Sequence, residues 1–482
     1  MFRRLSRLSH AAAIGGLILG ATACTDALDV PDYNRPTTEG INNDPQGIQV
    51  LATGILERER SLMPGTTQDF GFFGREAYIY FPTDNRNVTG FLVGVPGPGG
   101  QKTLDPGGFA TTGTNWTSRF NNMRNAVNLI NALDASSLGD AAKKAGAGFA
   151  KTFRGLDVSY VLYSRDTLGM PVDIAADPKA LSPFVSKDSA YKFASGILDE
   201  AKADLQAAGS ESFPFTLTRG YDLFDTPADF IKLNRAIAAR VLVNRASQGC
   251  GATCYTQALT AIGESFATAP GAATTLAQLN IGAYHNYSTA TGDVQNNNSY
   301  AANKSLFAHA SAVTDAKKQA DGTTPDDRLV RKLVKIETPV SPPQNTGIAA
   351  EWTFNIYPTQ STDVPLIRNE ELILLRAEAN IGLNNLAAAL VDINTIRTVS
   401  GKLAPLASLG TQAQAIDELL YNRRYSLLLE GQRWNDMRRF GRLNQLPLDL
   451  TSGPNAHFVA KVQPVPLTEC DARPAPKPQG CP

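Results

Sequence analysis

The sequence has little of several features on which common protein activities depend. Its 45 lysines and arginines balance its 45 aspartates and glutamates, so no net field attracts nucleic acid or strongly anionic substrates. Its four histidines form no HExxH motif, and the chain has neither a GxSxG elbow nor a phosphate-binding loop with its lysine. We therefore expect no nucleic-acid partner, no catalytic residues and no cofactor.

The apolar run near the N-terminus is short. A basic stretch precedes it, and the run extends from Ala11 to Ala23. Its 13 residues would form a helix about 20 Å long, which is shorter than the ~30 Å hydrocarbon core of a bilayer. The pattern is typical of a cleaved secretory signal rather than a membrane-spanning anchor, so we expect residues 1–23 to be removed.

The end of this run resembles a bacterial lipobox. Residues 21–24 read Ala-Thr-Ala-Cys, with Ala21 where leucine is more usual. The resemblance implies cleavage before Cys24 and lipidation of that residue, which attaches the protein to a membrane through acyl chains. An ordinary signal peptide with an incidental cysteine is the alternative. Residues 24–43 are polar and are expected to form a lipid-anchored tether and N-terminal arm.

Four further cysteines follow Cys24. An even number in an oxidising compartment predicts two disulfides, and the candidates are Cys250 with Cys254 and Cys470 with Cys481. A zinc site is the alternative, but the histidines are scattered and supply no ligand set at workable spacing. We therefore expect disulfides and no metal.

Apolar residues recur at spacings of three and four along much of the chain, which predicts amphipathic helices. Besides segments built around Trp116, Phe149 and Phe230, helices are expected at 44–63, 187–208, 255–268, 369–383 and 411–440. The pair 372–383 and 385–397 resembles a tetratricopeptide hairpin, which predicts stacked helix pairs. A non-repeating helical domain is the alternative.

Between the helices lie insertions rich in glycine, proline, asparagine and threonine. They cover residues 64–115, 166–186, 209–226, 270–365 and 444–482. Loops of this length are usually functional or disordered, and their many aromatics favour order. The sequence therefore predicts a mainly α protein whose long irregular insertions carry a few short strands.

The C-terminal third contains motifs in a fixed order. Residues 364–379 read VPLIRNEELILLRAEA, residues 422–441 read NRRYSLLLEGQRWNDMRRFG, and residues 462–469 read VQPVPLTE. Together with the upstream segments 116–133, 149–171 and 230–245, they resemble the SusD/RagB family of outer-membrane nutrient-binding lipoproteins. Asn422 and Ser426 stand where acidic residues are usual in that signature.

The resemblance implies a SusD-like α-superhelix of tetratricopeptide-like hairpins in a single domain over 44–482. Its helical part would cover about 44–270, the loop-rich insertion about 270–365, and the family signature 366–482. It also implies a lipid-anchored, surface-exposed position on the outer membrane and a SusC-like TonB-dependent transporter as partner. The protein would then act as a lid that captures an oligosaccharide or another small nutrient. A surface glycoside hydrolase and a protein-binding helical scaffold are the alternatives.

We look for binding residues among the aromatic residues outside the apolar faces of the predicted helices, because the C–H faces of sugars stack on aromatic rings. Trp116 and Trp434 lie on such apolar faces and are expected in the core. Trp352 and Tyr357 lie in a loop segment before the C-terminal helix pair. They are the first candidates for contact with a ligand.

A second candidate cluster follows in the first long insertion. Tyr78 and Tyr80 precede Asp84, Asn85 and Arg86. A carboxylate, an amide and a guanidinium offer the acceptors and donors that polyols need. The alternative is a short buried strand followed by a polar turn.

Overall fold

The computed structural model describes residues 45–81, 83–111, 113–177, 180–341 and 348–482. The predicted signal peptide, the predicted lipidation site Cys24 and the predicted tether lie outside these residues. Long helices make up most of the N-terminal part and return near the C-terminus. They are α1 (Pro45–Phe73), α2 (Thr117–Ala135), α3 (Asp140–Arg165), α4 (Lys187–Ala207), α5 (Pro227–Arg245), α6 (Ala252–Gly263), α7 (Asn369–Gly382), α8 (Leu386–Thr395), α9 (Gln412–Ser426) and α10 (Arg433–Arg439).

The strands are short and pair antiparallel in twos. They are β1 (Ala77–Ile79), β2 (Val95–Pro96), β3 (Lys102–Thr103), β4 (Met170–Pro171), β5 (Phe184–Val185), β6 (Gly282–His285), β7 (Leu306–Ala308), β8 (Leu333–Val340), β9 (Ala350–Phe354) and β10 (Val364–Arg368). The pairs are β1 with β7, β2 with β3, β4 with β5, β6 with β10 and β8 with β9. Short helical turns lie at Arg86–Val88, Leu276–Leu279, Ser311–Thr314, Asp327–Lys332 and Leu467–Ala472.

Successive helices pack as hairpins, and glycines set how closely α3 and α4 approach. A Cβ at Gly148 would lie 2.5 Å from the Cγ of Leu205, and one at Gly155 would lie 2.8 Å from the Cγ of Leu198. Both distances are shorter than carbon atoms allow, so glycine is required at this contact. The predicted mainly α fold of helical hairpins with few short strands is confirmed.

Helix α1 extends further than the sequence predicts. The segment after residue 63 is expected to be irregular because Pro64 has no N–H for a helical hydrogen bond. The helix nevertheless continues to Phe73. The carbonyl of Arg60, which would accept that missing N–H, instead accepts a hydrogen bond from the hydroxyl of Tyr287 at 2.7 Å. A distant tyrosine thus replaces the bond that proline removes.

The predicted helix at 411–440 is two helices. Helix α9 ends at Ser426, and α10 begins at Arg433. Between them Leu429 has a φ of 59° and Gly431 a φ of 75°. Backbone in this left-handed region cannot continue a right-handed helix.

Buried ion pairs join the C-terminal helices to one another. Arg423 of α9 binds Asp436 of α10 at 2.7 Å. Arg439 binds Asp436 at 2.8 Å and also pairs with Glu378 of α7. Trp434 of α10 is fully buried, and its ring packs against Phe70 and Phe73 of α1. These ions are structural partners whose geometry fixes how the helices meet.

The two residues that depart from the family signature bind one arginine. Arg328 donates to Asn422 Oδ1 at 3.0 Å and to Ser426 Oγ at 3.1 Å. Its other nitrogens bind Asp326, which also caps the turn Asp327–Lys332. Asn422 and Ser426 can be neutral acceptors because the carboxylate of Asp326 already balances the positive charge of Arg328.

Two disulfides join the pairs expected from the sequence. Cys250 bonds to Cys254 across the junction of α5 and α6, with their Cα atoms 5.7 Å apart. Cys470 bonds to Cys481 and holds the C-terminal tail to the turn Leu467–Ala472, with a Cα separation of 5.4 Å.

Candidate functional site

Tyr78 and Tyr80 lie in the core. The Tyr80 hydroxyl donates to the carbonyl of Val340 at 2.7 Å, and its ring stacks on Phe307 with centroids 4.7 Å apart. The Tyr78 hydroxyl donates to Asp449. Both rings are at most 2% exposed. The expectation that they contact a ligand is therefore corrected, and the buried-strand alternative describes them.

The other two aromatic candidates differ in exposure. Tyr357 is buried, and its hydroxyl has no hydrogen-bond partner among the described residues. Trp352 is half-buried on β9, opposite Lys335 of β8. Tyr357 nevertheless lines a cavity of about 270 Å³ together with Tyr284 and Arg368, so its contact with a ligand stays a prediction, whereas part of Trp352 is directly accessible.

The polar members of the second cluster form a turn at the surface. Arg86 binds the Asp84 carboxylate through two nitrogens, at 2.6 and 2.9 Å. These hydrogen bonds lower the pKa of Asp84 to about 2. Asn85 is half-buried and immediately precedes the helical turn Arg86–Val88. The carboxylate therefore stays ionised and holds the guanidinium in place.

Arg86 also contacts an aromatic residue that the sequence did not indicate as a binding residue. Its guanidinium lies 5.0 Å from the centroid of the Phe109 ring, and Phe109 is 55% exposed. The two residues border a groove of about 550 Å³, named here the Phe109 groove. Its other lining residues are Thr89, Gly90, Gly94, Val95, Asp105, Gly107 and Gly108.

Local hydrogen bonds fix the loop that carries Phe109. Asp105 Oδ1 accepts from the backbone N–H of Gly107 at 2.9 Å. The Thr111 hydroxyl donates to the Asp105 carbonyl at 2.7 Å. Because both ends of the loop are held by Asp105, the exposed ring is presented on a defined backbone. The sequence signal that could have indicated it is a lone aromatic between glycines in a long insertion.

The floor of the groove depends on glycine. Gly94 has a φ of +66°, and a Cβ there would lie 2.5 Å from both the Thr103 carbonyl and the Phe458 ring. Any larger residue would be strained and would clash with these two groups. The groove is an open trough with one exposed ring, one guanidinium and the Asp105 carboxylate. The exposed ring can stack against a sugar ring, and the guanidinium and the carboxylate can bind the hydroxyls of the sugar.

Two properties of the described residues bear on chemistry and on membranes. No group of three or more histidine, cysteine, aspartate or glutamate side chains among them is placed to hold a metal ion. Every helix in the ranges described is too short or too polar to cross a bilayer. Glu430, in the C-terminal signature, is half-buried and pairs with Arg368 at 2.7 Å.

Comparison with known proteins agrees with the order of the C-terminal motifs. The model of the SusD family matches residues 244–463. No curated protein matches the sequence.

Solved structures share the fold over nearly the whole chain. A SusD superfamily protein from Bacteroides vulgatus is 16% identical, with a TM-score of 0.65, covering 91% of this chain and 100% of that one. Surface glycan-binding protein A from Bacteroides thetaiotaomicron is 12% identical, with a TM-score of 0.62, covering 90% of this chain and 98% of that one. The SusD family match over residues 244–463 confirms the resemblance to the SusD/RagB family that the motifs at 364–379 and 422–441 indicated, and the chain shares the fold of SusD superfamily structures.

Proposed function

We propose that this protein is a cell-surface lipoprotein that binds an oligosaccharide or another small nutrient without converting it. The observation that carries the proposal is the exposed Phe109 ring beside Arg86 over a glycine floor. The SusD family match over residues 244–463 supports it, as does the fold shared with surface glycan-binding proteins from two Bacteroides species.

The Phe109 groove suits a chain of sugar units rather than a small apolar ligand. Its volume of about 550 Å³ is within the ~300–1,000 Å³ range of ligand sites. Phe109 offers a stacking surface, while Arg86, Thr89 and Asp105 offer donors and acceptors for hydroxyls. Aromatic stacking in such a site contributes about 0.5–1.5 kcal/mol beyond area burial.

We expect Phe109→Ala to weaken glycan binding by about tenfold, because both the stacking surface and its buried area are lost. The measurement is binding of the full-length detergent-solubilised protein to a glycan array, followed by calorimetry on the best ligand. Leu223→Ala is the control. Leu223 is 58% exposed, about as much as Phe109, but it does not line the groove. Equal losses in both variants, or release of cleaved product, would contradict the proposal.

The proposal includes attachment to the outer membrane through Cys24. Acyl chains contribute about 0.8 kcal/mol per buried methylene, so a multiply acylated cysteine holds a protein firmly at a bilayer. We expect labelled palmitate to enter the wild-type protein and not the Cys24→Ala variant, which should leave the membrane fraction. Equal membrane retention of both proteins would contradict the anchor.

We further propose that the protein is the lid and partner of a SusC-like TonB-dependent transporter. The SusD family match over residues 244–463 supports this partner. Affinity purification from solubilised outer membranes should recover a large β-barrel protein in stoichiometric amount. Recovery of the lipoprotein alone, under conditions that keep other outer-membrane complexes intact, would argue for a binding protein that acts by itself.

A further inference from the structure

The Phe109 groove carries few charges. Residues 83–111 supply all of its lining residues, and their charged side chains are Asp84, Arg86, Lys102 and Asp105. Arg86 and Asp105 line the groove themselves, whereas Asp84 and Lys102 do not. The charge that a ligand meets in the groove therefore depends on how these four side chains are paired.

Both cations already have partners. The Asp84 carboxylate accepts two hydrogen bonds from Arg86, so the positive charge of this guanidinium is balanced before a ligand arrives. The Lys102 ammonium donates to the carbonyl of Ala456 and is not part of the lining. Neither cation brings an unbalanced positive charge into the groove.

The Asp105 carboxylate, in contrast, has no opposite charge beside it. It forms no ion pair with any residue that the structure describes, and its Oδ1 accepts only the backbone N–H of Gly107. The side chain is exposed. A Cβ at Gly107 would lie 3.6 Å from its Oδ1, and one at Gly108 would lie 3.3 Å from its Oδ2. Because both glycines line the groove, the carboxylate gives this wall an unbalanced negative charge.

An unbalanced carboxylate discriminates among sugars by their charge. It accepts hydrogen bonds from hydroxyl and ammonium groups, and it also attracts the charge of an ammonium group. A carboxylate or sulfate group on the ligand has no proton to donate at neutral pH and is repelled. Like unit charges ~4–6 Å apart in bulk water repel enough to weaken binding about threefold to sixfold, and the effect is larger where protein displaces the water.

We propose that the Phe109 groove takes neutral and amino-bearing glycans and rejects acidic ones, and that Asp105 sets this specificity. The inference rests on the proposed function of the groove and adds the chemical class of its ligand. An acidic group that approached Arg86 would meet two carboxylates, those of Asp84 and Asp105, for one guanidinium. An ammonium group would pair with Asp105 instead.

The test compares matched ligands that differ in charge. The neutral probes are maltohexaose, cellohexaose, mannohexaose and galactohexaose, and the acidic probe for each is the same oligomer with its primary hydroxyls oxidised to carboxylates. The glucosamine hexamer is the amino analogue of cellohexaose. Calorimetric titration of the full-length detergent-solubilised protein measures each affinity. We expect at least one neutral hexaose to bind, at least about threefold more tightly than its acidic form, and the glucosamine hexamer to bind no more weakly than cellohexaose.

Oxidation also removes hydroxyl groups from the probe, so a second measurement isolates the effect of charge. The preference for the neutral form should shrink when salt is raised from about 0.01 M to about 1 M, because the Debye length falls from about 30 Å to about 3 Å. A preference that came from lost hydroxyl contacts would not depend on salt in this way.

Variants then assign the preference to Asp105. Asp105→Asn should lower the ratio of neutral to acidic affinity by about threefold to sixfold. Its amide oxygen can still accept the Gly107 N–H, so the loop keeps that hydrogen bond. Asp84→Asn should lower the ratio as well, since it leaves the charge of Arg86 unbalanced. Asp222→Asn, at an exposed position outside the lining, is the control and should keep the wild-type ratio.

The outcomes separate this inference from the proposed function. If no neutral hexaose binds, or if Phe109→Ala leaves the binding intact, the proposed function of the groove fails and this inference fails with it. If Phe109→Ala weakens binding but the acidic forms bind as tightly as the neutral ones, only this inference is overturned. The same holds if Asp105→Asn keeps the wild-type ratio.

Discussion

Tyr287 donates its hydroxyl to the carbonyl of Arg60 at 2.7 Å, and that carbonyl is the one that Pro64 leaves without a helical partner. The two residues are 227 positions apart in the sequence. The loop after β6 thus stabilises the middle of α1 at the point where the helix is weakest. This contact explains why a proline is tolerated inside a helix of 29 residues.

Tyr287→Phe should lower the free energy of unfolding by about 1–3 kcal/mol, because it leaves a partly buried carbonyl unpaired. In a Pro64→Ala background the same change should cost much less, since alanine at position 64 supplies an N–H to that carbonyl. Urea unfolding of the four proteins in this double-mutant cycle gives the coupling directly. Equal costs in both backgrounds would show that the tyrosine acts only through packing of its ring.

This contact also shows why the sequence predicts some parts of the structure and not others. Hydrophobic periodicity reports local structure, so the helices and the hairpin at 372–397 could be predicted. The continuation of α1 past Pro64 depends on a partner in a distant loop, which no local pattern reveals. The exposure of Phe109 and the burial of Tyr80 and Tyr357 likewise depend on which segments fold over the rings. Aromatic residue type alone therefore does not distinguish a buried ring from an exposed one.

Glu76 should make stability depend on pH. Its carboxylate oxygens are buried without hydrogen-bond partners among the described residues, and burial raises its pKa from 4.5 to about 8. Between these values the folded state holds a proton that the unfolded state releases. The free energy of unfolding therefore falls as pH rises, by about 1.4 kcal/mol for each pH unit within that window.

We expect Glu76→Gln to remove this part of the decline, as measured by urea unfolding at several values between pH 5 and pH 8. A decline should remain at the lower end, because burial also raises the pKa of Asp69 to about 7. Glu211→Gln, at an exposed position, is the control and should leave the profile unchanged. Parallel profiles for the wild type and Glu76→Gln would mean that Glu76 is ionised in the folded protein.

Arg240 of α5 and Glu371 of α7 form a buried two-point ion pair, with both contacts at 2.6 Å. Glu371→Ala should lower the free energy of unfolding by about 3–5 kcal/mol, because it leaves a guanidinium uncompensated in the core. The exposed pair of Lys232 and Asp229 provides the comparison, and Asp229→Ala should cost at most about 1 kcal/mol. Similar losses of melting temperature in the two variants would indicate that water reaches Arg240.

Gly94 and Gly99 separate backbone strain from a steric clash beside the Phe109 groove. Both have a positive φ, +66° and +68°, so alanine at either position costs about 1–2 kcal/mol of conformational energy. A Cβ at Gly94 would also lie 2.5 Å from the Thr103 carbonyl, whereas one at Gly99 would meet nothing within 4 Å. We therefore expect Gly94→Ala to have a lower free energy of unfolding than Gly99→Ala, as measured by urea unfolding. Equal stability of the two variants would show that the Thr103 carbonyl and the Phe458 ring move aside at little cost.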